Sequence, residues 1–198
     1  MTSLQDRWAV DDEGRGVTPF DEAYRRLVSR AQAGGAQSET WLPLMYARRS
    51  NDRRLARALL AFARERTAPL EGVDAARSVL ELADAALDGQ LDRDLCSRLA
   101  HNLLDEAYAR VSEDKRIDRF FGEKCVSSAA RLASRVEDPV SLRDAIEVIR
   151  SAVAMDAVAG HDCGRAGLGG DPGELQASAR EVEQRALAHI RSAGLGLD

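Results

Sequence analysis

The sequence predicts an all-α protein, a single-domain bundle of about seven to eight helices with no sheet. Two observations predict this class. Apolar side chains recur every three to four residues along most of the chain, and capping residues, glycines and prolines mark the boundaries of these segments. The 198 residues suit one domain, which we place at residues 18–193, between a mobile tail at 1–17 and a short tail at 194–198.

The first predicted helix follows an N-terminal tail that is rich in Asp and Gly and poor in apolar residues. Thr18 and Pro19 combine an N-cap with a proline at the first helical position, and Gly34 ends the helix. Ser38 begins a second, shorter helix that carries Trp41. We therefore expect two helices before residue 51.

The next three helices have the clearest boundaries. Asn51 caps a helix that ends before Pro69. Between Val73 and Gly89, apolar residues recur at alternating steps of three and four with carboxylates opposite them, and Gly89 ends this helix. Asp92 caps the helix that follows.

The C-terminal part of the chain predicts three more helices. Ile117 and Phe121 belong to one apolar stripe. Asp138 and Pro139 begin a helix that is apolar around most of its circumference, so we expect this helix at the centre of the core. A glycine-rich loop at 160–171 then precedes the last helix.

Composition and charge argue against several functional classes. The chain carries 28 Lys plus Arg against 33 Asp plus Glu, a net charge of −5, which argues against a nucleic-acid-binding surface over the whole molecule. The scarcity of Lys and the abundance of Ala are consistent with a bacterial, GC-rich genome. The chain has an odd number of cysteines, and they are widely spaced: Cys96, Cys125 and Cys163. We therefore expect reduced thiols rather than a disulfide framework. No secretory signal and no membrane-spanning segment is evident, so we expect a cytoplasmic protein without a membrane partner.

His161 and Asp162 are the strongest enzymatic signal, because adjacent His and Asp begin the metal site of HD-type phosphohydrolases. Such a site needs further ligands, and the surrounding glycines indicate a loop, so a metal-dependent HD-type hydrolase is the least favoured alternative. His101 and Asp105 lie one helical turn apart with no nucleophile fixed beside them. We expect no catalytic residue, no metal and no cofactor, and a binding protein rather than an enzyme.

The third predicted helix and the residues before it carry the only dense basic cluster in the sequence. Such a cluster binds phosphates or the carboxylates of a partner protein. The alternative is a solvated face that pairs with the acidic stripe of the following helix, formed by Asp74, Glu81, Asp84 and Asp88. The predicted partner-binding residues are Arg48, Arg49, Arg53, Arg54, Arg57 and Arg64.

Residues 51–110 resemble the Ala-rich, all-helical immunity proteins of bacterial polymorphic toxin systems. The resemblance rests on a helix start at Asp52-Arg53-Arg54-Leu55, on Ala75-Ala76-Arg77, and on a helix end at Leu87-Asp88-Gly89. It implies a stoichiometric activity, in which the protein binds a cognate toxin in the same cytoplasm and blocks its active surface. No catalytic residues are implied.

The leading prediction is therefore a non-catalytic module that binds a protein partner, as an immunity-type inhibitor of a cognate toxin. The alternative is a helical subunit or adaptor of a larger complex that contacts nucleic acid or an acidic partner through the Arg-rich helix face. The two differ in their salt dependence, because phosphate binding weakens steeply as salt rises and an apolar protein interface tolerates salt.

Overall fold

The computed structural model describes residues 52–114, 116–136, 141–159 and 172–195. These ranges contain six helices and no strand, which confirms the all-α class. The helices are α1 (Asp52–Thr67), α2 (Asp74–Leu87), α3 (Arg93–Asp114), α4 (Ile117–Ser134), α5 (Ser141–Val158) and α6 (Pro172–Ser192). They correspond to the last six of the predicted helices. The two helices expected before residue 51, the tail at 1–17 and most of the loop at 160–171 lie outside the described residues, as do residues 196–198.

Helix α2 ends and α3 begins as the capping residues predict. Gly89 has a φ of +74°, a left-handed conformation that favours glycine. Its N–H donates to the Ala86 carbonyl at 3.2 Å, and the Gln90 N–H donates to the Ala85 carbonyl at 2.8 Å. These two bonds form the Schellman motif that closes many helices. At the start of α3, the Asp92 carboxylate accepts a hydrogen bond from the Asp94 N–H at 2.7 Å.

Helix α4, rather than α5, occupies the centre of the bundle. It packs against α1, α2, α3 and α5, and every residue from Phe120 to Ala130 except Lys124 is buried. The prediction that the helix after Pro139 is central is therefore wrong. This helix, α5, packs more extensively against α4 than any other described helix does. The prediction was based on the hydrophobicity of α5. Helix α4 is central instead because its small side chains let several helices pack close to its backbone.

Two positions on α4 show how small residues admit their neighbours. A Cβ at Gly122 would collide with Leu70 Cδ1 and lie 3.5 Å from Thr67 Cγ2, so the absence of a side chain admits the C-terminal end of α1. Ser127 is fully buried, and its hydroxyl donates to the Ala100 carbonyl of α3 at 2.6 Å. A buried serine is tolerated because this hydrogen bond satisfies its hydroxyl.

The apolar interior consists of two clusters. The larger joins all six described helices, and includes the fully buried Leu59 and Phe62 of α1. The smaller joins α3, α4 and α5 around Phe120, Phe121 and Met155. Residues of α3, α4 and α5 occur in both clusters, and α4 contributes buried residues along most of its length.

Candidate partner-binding surface

The predicted basic face is formed by α1 in the described part of the chain. Arg53, Arg54, Arg57 and Arg64 are all exposed, whereas Leu59 and the other apolar residues of α1 point into the core. Arg48 and Arg49, the other two predicted partner-binding residues, lie outside the described residues. Helical spacing therefore separates the charged and apolar faces of α1 as predicted.

The structure places two of these arginines against the acidic stripe of α2. Arg57 forms an ion pair with Asp88, and the Arg64 guanidinium lies 2.5 Å from the Asp84 carboxylate. We call these four residues the α1–α2 ridge. The sequence left open whether the basic face binds a partner or pairs with the acidic stripe, and the structure shows such pairing at these two positions.

The ion pairs of the ridge remain in water. The side chains of Arg57 and Asp88 are 61% and 46% exposed, and those of Arg64 and Asp84 are 49% and 39% exposed. Exposed pairs of this kind contribute about 0–1 kcal/mol each to stability, because water screens the attraction and both side chains lose freedom. The charges of the ridge therefore hold α1 and α2 together only weakly and are accessible to another molecule.

The remaining acidic residues of α2 differ in their contacts. Asp74 pairs with Arg77 at 2.9 Å within the same helix. Glu81 is exposed and forms no ion pair with a residue of the described ranges. Arginines of α1 therefore neutralise the predicted acidic stripe at Asp84 and Asp88, whereas Glu81 is accessible to solvent.

Of the candidate catalytic and metal residues, His101 and Asp105 lie in the described ranges, and they are not hydrogen-bonded to each other there. His161 and Asp162 lie outside the described residues. The His101 Nδ1 contacts the Ser97 carbonyl at 2.7 Å, within α3, rather than the Asp105 carboxylate one turn later. Within the described ranges, no group of three or more His, Cys, Asp or Glu side chains has the arrangement of a metal site.

Both described cysteines are buried thiols. Burial raises the pKa of Cys96 to about 11, and burial raises the pKa of Cys125 to about 12, partly offset by Arg66. Their sulfhydryls donate to the carbonyls of Ala130 and Val148. Thiols with such high pKa values carry almost no thiolate at neutral pH, so neither is a nucleophile. Cys163 lies outside the described residues.

Buried charged side chains link several of the helices and were not predicted from the sequence. Glu123 of α4 is 2% exposed and pairs with Arg110 of α3 at 2.7 Å and with Arg119 at 3.3 Å. Asp144 of α5 pairs with Arg131 of α4 at 3.1 Å. Only the Arg119–Glu123 pair has a local signal, the spacing of four residues on one helix. The other two contacts join different helices, and no pattern within one helix predicts them.

The same ranges contain no helix that is long and apolar enough to cross a membrane. Comparison with known proteins gave no matching family model, curated protein or solved structure.

Proposed function

We propose that the protein is a non-catalytic protein-binding module that acts in the bacterial cytoplasm as an immunity-type inhibitor of a cognate toxin. The observation that carries the proposal is the α1–α2 ridge, where solvent-accessible arginines of α1 pair with carboxylates at α2. The side chains of such a surface can exchange their internal ion pairs for those of a partner at small energetic cost, because exposed pairs contribute little to folding.

The mixed charge of the ridge favours a protein partner over nucleic acid. A phosphate backbone that approached Arg64 would also approach the Asp84 carboxylate, which lies 2.5 Å from the guanidinium. A carboxylate this close to the guanidinium repels the phosphate. It also compensates the charge of the arginine, whereas phosphate binding depends on contacts with uncompensated cations that release counterions. A protein surface that presents both signs meets no such opposition.

The resemblance to immunity proteins supports the inhibitory role. It covers residues 51–110, which include α1, α2 and most of α3, so the ridge falls within the matching segment. An immunity protein acts by stoichiometric binding. This mode of action requires an accessible recognition surface and no reactive group.

A second candidate function is a helical adaptor that contacts nucleic acid or an acidic partner through the Arg-rich face. The observation in its favour is that Arg53 and Arg54, at the start of α1, are exposed together with Arg57. The inhibitor and the adaptor differ in the expected effect of salt, because nucleic-acid binding through several phosphates falls steeply with ionic strength.

The test expresses the proteins encoded by the genes adjacent to this one, identifies any that is toxic when expressed alone, and titrates its activity with the purified full chain. We expect activity to fall linearly to zero at one equivalent. The variant Arg57→Asp with Asp88→Arg keeps an ion pair but exchanges its ends, so it should fold normally and inhibit less well. No inhibition by the wild-type chain, together with salt-sensitive binding of a DNA or RNA duplex, would refute the proposal in favour of the adaptor.

A further inference from the structure

We draw no further inference here: the strongest candidate, the α1–α2 ridge as a contact between two copies of the chain, belongs to the partner-binding surface already described, and nothing in the structure shows which molecule covers its exposed ion pairs.

Discussion

Arginine and carboxylate side chains meet in two contrasting regions, the buried face of α4 and the α1–α2 ridge. At Glu123 the carboxylate is 2% exposed and two arginines converge on it, whereas the ridge pairs keep roughly half of each side chain in water. Once buried, a charge cannot lose its partner without being left poorly solvated, so removal of one partner of the buried cluster should destabilise the packing of α3 on α4. The exposed pairs can separate freely, which suits a recognition surface.

The largest expected effect comes from removing the buried carboxylate. Glu123→Ala leaves Arg110 and Arg119 without their shared partner and creates a cavity in α4. Because Arg110 is 35% exposed and Arg119 is 20% exposed, water solvates them in part, and we expect a loss of about 1–3 kcal/mol in the free energy of unfolding, measured by urea denaturation. Glu123→Gln keeps the volume and isolates the effect of the charge. A loss below about 1 kcal/mol in the Ala variant would mean that the buried cluster behaves like the ridge.

Gly89, at the end of α2 beside the ridge, should show an intermediate effect. A Cβ at this position meets no atom within 4 Å, so Gly89→Ala tests only the left-handed backbone conformation. We expect a loss of about 1–2 kcal/mol in the free energy of unfolding, measured by thermal or urea denaturation. Because Asp88 precedes Gly89, unchanged stability would indicate that the backbone next to the ridge relaxes without strain.

The buried Asp144 carboxylate should make the free energy of unfolding depend on pH, unlike the exposed carboxylates of the ridge. Burial raises the pKa of Asp144, and the nearby Arg131, Arg135, His101 and Arg143 partly offset this effect. The folded protein therefore holds the proton to higher pH than the unfolded chain, so stability falls as pH rises from the unfolded pKa through the folded pKa. Asp144→Asn should lose this part of the pH dependence. Parallel stability curves of the two proteins between about pH 3 and 7 would contradict this prediction.

The smallest effect is expected on the ridge itself. Arg57→Ala should change the free energy of unfolding by less than about 1 kcal/mol, and salt should reduce the change further. A double-mutant cycle with Asp88→Ala measures the coupling between the two side chains. A coupling energy as large as that at Glu123 would remove the distinction between the two regions.

Much of the secondary structure was predictable because its signals are local. The repeat of apolar residues between Val73 and Gly89 predicted α2, and Asp92 and Gly89 predicted the adjacent boundaries. The candidate surface was partly predictable, since Arg57 and Arg64 were identified from helical spacing. The sequence left open whether these arginines bind a partner or pair with the acidic stripe of α2, because an ion pair between two helices depends on how the helices pack.

The sequence alone determined that the described part of the chain forms helices, where α2 ends and α3 begins, and which face of α1 carries the charges. Each of these properties depends on residues within a turn or two of one another. Only the tertiary structure decided that α4 is central and that Glu123 is buried between two arginines while Arg57 stays in water. Burial is a property of the neighbours that surround a side chain, and those neighbours come from distant parts of the chain.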